Sequence, residues 1–143
     1  MIKSIHTQRR GAAMVEFALV APVLVLLLVG IMVMGVVINS KIVVAGAARE
    51  AGRTWAIDKN DGQARTKARD AIRDGGLKFS ASGKTLFDAS RDVQFQRKGD
   101  YIHVTVSYRQ PTFVPLLAKL VDPQSPGDGT ITLRSQAVFR VER

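Results

Sequence analysis

One acidic residue, Glu16, stands at the start of a long apolar stretch, four residues after Ala12 and five after Gly11. Residues four apart share one face of a helix, so an amine at Ala12 would lie beside the Glu16 carboxylate. That amine exists only if the chain is cut between Gly11 and Ala12. An opposite charge stabilises a carboxylate near lipid, where the alternative is an unpaired ion. In a cut chain we therefore expect Glu16 to pair with its own amine or a neighbour's; in an uncut chain it is an interfacial acid without a role.

The stretch that follows Glu16 is long enough to cross a membrane. Residues 17–38 contain 22 residues without a charge, which as a helix span about 33 Å against a hydrocarbon core of about 30 Å. Pro22 removes a backbone hydrogen bond and predicts a kink near Ala18. Lys3, Arg9 and Arg10 precede the stretch, so the N-terminus is expected in the cytoplasm and the C-terminal part is expected to be exported across the membrane.

Two simpler interpretations of this region are a secretory signal peptide and an uncleaved anchor. The small residues Ala45, Gly46 and Ala47 could form a signal-peptidase site. A signal-peptide apolar region, however, usually has only about 7–15 residues. An anchor that is never cut fits the length better.

Beyond the apolar stretch the sequence predicts a continuing helix and then a small folded domain. Helical spacing extends from about Ala12 to Trp55, and its alanines could pack on partner helices or on the chain's own domain. A second, amphipathic helix carries Ala64, Ala68 and Ile72 on one face. Alternating apolar residues then predict three antiparallel strands, the central one with Ile102, Val104, Val106 and Tyr108 on one face.

The predicted fold class is therefore α+β, with a long membrane-spanning helix as a stalk and a small C-terminal head of one amphipathic helix and about three antiparallel strands. The predicted boundaries are a leader at residues 1–11, a transmembrane and stalk helix at 12–56, and an exported head at 57–143. Within the head, residues 113–121 (FVPLLAKLV) are apolar but too short to span a bilayer. They are expected either to cover the core or to form an exposed docking patch.

Composition argues against an enzyme and a specific nucleic-acid-binding protein. The chain has no cysteine and only two histidines, His6 and His103, so no catalytic residue, metal site or cofactor is predicted. The acidic loop near Asp122 lacks the ligand spacing of a calcium loop. The net charge is +9, but basic and acidic residues are interspersed and aromatic residues are few.

The N-terminal third resembles a known family. The basic leader, Gly11, Ala12, Glu16 and Phe17 are similar to the processing site of type IV prepilins. More narrowly, RRGAAMVEFALVAPVLVLLLVGIM followed by AGAAREAGR resembles TadE-like pseudopilins, minor components of the Flp (type IVb, tight-adherence) pilus machinery.

The resemblance implies a function and partners. Gly11 would be the last leader residue and Ala12 the first mature one, cut by a membrane prepilin peptidase, and Glu16 with Phe17 would align the helix during assembly. Other pilin subunits, the pilus assembly machinery and the inner membrane are the implied partners. We expect a minor pilin involved in pilus biogenesis and adhesion; the alternative is an uncleaved single-pass envelope protein whose head binds a partner or a polyanion.

Overall fold

The computed structural model describes residues 4–112 and 129–141, with side chains from residue 11 onward. A long helix is followed by a short one and a small mixed region, and the chain ends in a three-stranded antiparallel sheet. The predicted α+β architecture is confirmed. In chain order the elements are α1 (Ser4–Asp58), α2 (Asp61–Asp74), β1 (Ser80–Ala81), β2 (Lys84–Thr85), α3 (Ala89–Asp92), β3 (Val93–Lys98), β4 (Tyr101–Pro111) and β5 (Thr130–Arg140).

Helix α1 is longer than the sequence pattern indicated. It begins at Ser4, within the predicted leader, because the segment before Gly11 contains no proline and one glycine lowers helix stability by only about 1 kcal/mol. It also continues without a break through Pro22. The chain forms two compact units, one ending at Gly35 and one beginning at Val36. The last part of α1 therefore belongs to the same unit as the head.

The alanines of α1 pack against the chain's own head. Ala47, Ala48 and Ala51 are completely buried, as is Val44, and all four belong to the same hydrophobic core cluster as the buried residues of the sheet. Small side chains on this face let the sheet approach the helix closely. At Gly52 the approach leaves no room for a side chain, because an added Cβ would overlap the ring of Phe139 in β5. The sequence allowed these alanines to pack either on partner helices or on the chain's own head. In the structure they pack on the head.

Helix α2 returns alongside α1 and is well capped. The side chain of Asn60 accepts hydrogen bonds from the backbone N–H groups of Gly62 and Gln63, which satisfies two donors at the helix start. Its buried residues are the predicted ones, Ala64, Ala68 and Ile72.

The sheet has the order β3-β4-β5 with antiparallel neighbours. In the central strand the predicted inner face is confirmed, since Ile102, Val104, Val106 and Tyr108 are each at most 2% exposed. A two-residue turn joins β3 to β4, and its Gly99 has φ +60°, a conformation that glycine adopts without strain.

The region between α2 and β3 contains a short hairpin and contributes two side chains to the core. Strands β1 and β2 form a two-stranded hairpin, and Leu86 and Phe87 after it are buried in the core. Residues 113–121, predicted as core or docking patch, lie outside the described residues. That prediction therefore stays open.

Candidate functional site: the N-terminal helix and its junction with the head

The residues predicted to mark processing and alignment all lie on the surface of α1. Gly11, Ala12, Glu16 and Phe17 are exposed, and Phe17 retains 70% of its accessible surface. A Cβ added at Gly11 would meet no atom within 4 Å. Glycine is therefore not required at this position by the packing of the described chain.

The peptide bond between Gly11 and Ala12 lies inside the helix in the uncut chain. Cutting it requires local opening of the helix, and glycine reduces the cost of that opening because it is the poorest helix former after proline. Once cut, Ala12 would become the first residue of the helix. Glu16 would then lie in the first turns, where a negative charge is stabilised by the helix dipole.

An uninterrupted apolar surface follows these residues. Leu19, Leu26 and Met32 are each more than 70% exposed, and most other residues from 17 to 38 are exposed to a smaller extent. Pro22 lies within this part of α1 and cannot donate a hydrogen bond to the carbonyl of Ala18. A helix of this length and composition can cross a membrane.

The junction between α1 and the sheet contains a buried polar contact that the sequence analysis did not identify. The Ser40 hydroxyl lies 2.6 Å from Oε1 of Gln110 and 2.9 Å from the carbonyl oxygen of Val36. Ser40 is 1% exposed and Gln110 is 7% exposed. Helical spacing provided a signal, because Ser40 precedes Val44 by four residues on the buried face of α1. The choice of Gln110 as partner depends on strand pairing that no local pattern specifies.

A second contact extends this junction to the outer strand. The Lys41 ammonium group donates a hydrogen bond to the backbone carbonyl of Arg134 in β5. Two consecutive residues of α1 thus contact two different strands: Ser40 contacts β4 and Lys41 contacts β5.

Two arginines of α2 cover aromatic rings. The Arg65 guanidinium lies 5.6 Å from the ring centre of Phe95, and that of Arg69 lies 5.4 Å from the ring of Phe79. Both distances are typical of cation–π contacts. A polar cavity of about 540 Å³ beside Arg65 is lined also by Arg91 and Thr105.

Carboxylates near this cavity are engaged within the fold. Arg91 contacts the buried Asp92, 3.0 Å from Nε to Oδ1, and this hydrogen bond and charge raise the pKa of Arg91. Hydrogen bonds from Ser90 lower the pKa of the Asp88 carboxyl. Within residues 4–112 and 129–141, no three His, Cys, Asp or Glu side chains are grouped so that they could hold a metal ion. His103 on β4 has Gln136 as its neighbour, 3.3 Å away.

The fold and the site define the class of protein. One exposed apolar helix of membrane length, continuous with a small α+β head, fits a membrane-anchored protein. Residues 11–53 match the family model described as TadE-like protein, which confirms the resemblance carried by Gly11, Glu16 and Phe17. The match indicates a protein associated with the Tad/Flp pilus that interacts with pilus components, and such proteins are not enzymes.

The match covers the apolar part of α1 and its alanine-rich continuation, and it includes neither α2 nor the sheet. No curated protein and no solved structure matches the chain.

Proposed function

We propose that the chain is a minor pilin, or pseudopilin, of a Flp-type pilus assembly system, with a part in pilus biogenesis and adhesion. The observation that carries this proposal is the placement of Gly11, Ala12 and Glu16 on the exposed surface at the start of a membrane-length apolar helix. The TadE-like match across residues 11–53 supports it.

The proposed sequence of events begins with insertion of α1. The short basic N-terminus stays in the cytoplasm, and the head is carried across the inner membrane. A prepilin peptidase then cuts between Gly11 and Ala12, which leaves residues 12–143. No residue of this chain is catalytic in that step, because Gly11 and Ala12 are the substrate.

Assembly is the step in which Glu16 acts. The new amine of Ala12 carries a positive charge and lies one helical turn from Glu16. In lipid the carboxylate is stabilised by this amine or by the amine of an adjacent subunit, and the second arrangement fixes the axial position of one helix against the next. Phe17 and the apolar surface beyond it supply the packing contacts.

The head limits how this subunit is used. A folded unit that extends from Val36 to the C-terminus occupies lateral space that a helix alone does not. Dense packing along a filament is therefore costly, and we infer that the subunit primes, caps or adjusts the pilus and does not form its bulk.

Replacing Glu16 tests the alignment step. Glu16→Ala removes the acid but not the apolar surface, so the variant should be inserted and cut normally yet be absent from purified pili or assembly complexes. Glu50→Ala is the matched control, because it removes another exposed carboxylate of α1 beyond the apolar stretch. Co-purification with pilus components measures the outcome.

Normal incorporation of the Glu16→Ala protein would overturn the alignment role. If that variant assembles and the chain is also never cut, the uncleaved envelope protein with a partner- or polyanion-binding head replaces the pilin interpretation.

A further inference from the structure

The contact between Ser40 and Gln110 places one end of the sheet beside the C-terminal end of the apolar stretch of α1. Ser40 follows Ile38, the last residue of the apolar stretch, by two positions of continuous helix, or about 3 Å of rise. Because Ser40 contacts Gln110, the end of β4 near Gln110 lies close to the point where the apolar stretch ends.

Basic side chains gather around this end of the head. Lys41 follows Ser40 directly and is hydrogen-bonded to the carbonyl of Arg134, whose own side chain is exposed. Arg109 precedes Gln110 on the central strand and is half-buried. These three residues come from α1, β5 and β4, and strand pairing together with the Lys41 hydrogen bond brings their positions to the same end of the sheet.

Two more lysines join them from the segment after α2. Nη1 of Arg109 donates a 3.1 Å hydrogen bond to the carbonyl of Thr85, which follows the exposed Lys84. The Tyr108 hydroxyl donates a 3.0 Å hydrogen bond to the carbonyl of Lys78, which is also exposed. We call the five residues together the basic collar: Lys41, Lys78, Lys84, Arg109 and Arg134.

The segments that carry the basic collar contain no acid. Neither Asp nor Glu occurs in residues 40–45, 75–87, 105–112 or 129–135. Of the acids that adjoin these segments, Asp74 pairs with Arg73 at 3.4 Å and Asp88 accepts hydrogen bonds from Ser90, whereas Asp128 lies outside the described residues. Among the described residues, the segments that form this end of the head carry only positive charges.

We propose that the basic collar binds the headgroups of anionic phospholipids on the side of the membrane where the head emerges. Charge complementarity and the short distance along α1 favour lipid over a soluble partner. Each Lys or Arg near an anionic membrane surface strengthens binding about fivefold, an effect that salt screens. The collar would hold the head against the membrane before assembly. This inference rests on insertion of α1, and it is independent of cutting at Gly11 and of entry into a pilus.

The test uses the full chain in phosphatidylcholine bilayers that contain traces of spin-labelled lipid. Electron paramagnetic resonance gives the relative association of labelled phosphatidylglycerol and labelled phosphatidylcholine with the protein. We expect a preference for phosphatidylglycerol that falls about threefold or more in the triple variant Lys78→Gln, Lys84→Gln, Arg134→Gln, and that decreases in high salt.

The matched control is Arg53→Gln, Lys98→Gln, Arg140→Gln, which removes three exposed charges from the opposite end of the head. It keeps the N-terminal basic residues, as does the first variant, so their contribution cancels. An equal loss in both variants, or no loss in either, would overturn the proposal. Unchanged lipid preference combined with loss of a pilus partner by the collar variant would assign the surface to protein binding and would also overturn it. Circular dichroism checks that both variants are folded.

Discussion

Ser40 and Gln110 are separated by 70 residues in sequence and are joined by a buried 2.6 Å contact between hydroxyl and amide oxygen. The hydroxyl has one proton, so at any moment it donates either to Gln110 or to the carbonyl of Val36. The Gln110 amide group donates in turn to the carbonyl of Pro111, at 3.2 Å. This contact fixes where α1 meets the sheet.

Ser40→Ala should destabilise the head by about 1–3 kcal/mol, because it leaves the buried Oε1 of Gln110 without its donor. The free energy of unfolding of the detergent-solubilised full chain, measured in urea, provides the test. Asn39→Ala, at the exposed neighbouring position, is the control. The double variant Ser40→Ala, Gln110→Leu should recover part of the loss; a strictly additive double variant would show that the two side chains are not coupled.

Gly52→Ala should destabilise the head by about 1–3 kcal/mol, as expected for overpacking, because the new methyl group overlaps the Phe139 ring. The control is Gly46→Ala on the same helix, where an added Cβ meets no atom within 4 Å and the higher helix propensity of alanine should raise stability by up to about 1 kcal/mol. Thermal unfolding compares the two. Equal effects of both substitutions would exclude a specific contact with Phe139.

Tyr108 makes the stability of the head depend on pH in the alkaline range. Burial raises the pKa of its phenol above the usual value, and the hydroxyl donates a hydrogen bond to the carbonyl of Lys78. The folded state therefore holds this proton more tightly, so its contribution to stability is complete below a pH of about 10 and is lost as the pH rises through the folded pKa.

Tyr108→Phe should lower stability by about 1 kcal/mol near neutral pH through loss of the hydrogen bond. The difference from the unmodified protein should then shrink as the pH rises above about 10. Thermal melts from pH 8 to 11 measure it, with the exposed Tyr101→Phe as the control for loss of a phenol. A difference that stays constant over this range would contradict the assignment.

Gly11→Leu should leave the leader attached without disturbing the fold. The described chain has no atom within 4 Å of a Cβ at this position, so any defect reports on recognition by the peptidase. Gly30→Leu is a suitable comparison, since its site is equally open and lies within the apolar stretch. Gel mobility of the membrane fraction separates cut from uncut protein. Normal cutting of the Gly11→Leu chain would contradict the proposed site.

Sequence periodicity was sufficient for α2 and the three-stranded sheet of the head, but not for α3 or the β1–β2 hairpin. The alternation through Ile102 and Val104 predicted a strand face that is buried, and the spacing of Ala64, Ala68 and Ile72 predicted the buried face of α2. Both patterns arise because burial repeats with the period of the backbone.

The junction could not be predicted in the same way. The small residues of α1 suit any close helix contact, and only the assembled sheet shows that Phe139 lies opposite Gly52 and Gln110 opposite Ser40. The start of α1 at Ser4 also differs from the predicted start near Ala12, because the residues before Gly11 continue the helix in the uncut chain. The predicted chemistry at Gly11 and Glu16 depends on another protein, which the fold of a single chain does not contain.

The central claim is that the mature protein begins at Ala12. The most direct measurement is the N-terminal sequence and intact mass of the protein extracted from the membranes of cells that contain an active prepilin peptidase. We predict a chain that starts at Ala12 and lacks the mass of residues 1–11. Recovery of a chain that still begins at Met1 under these conditions would contradict the account.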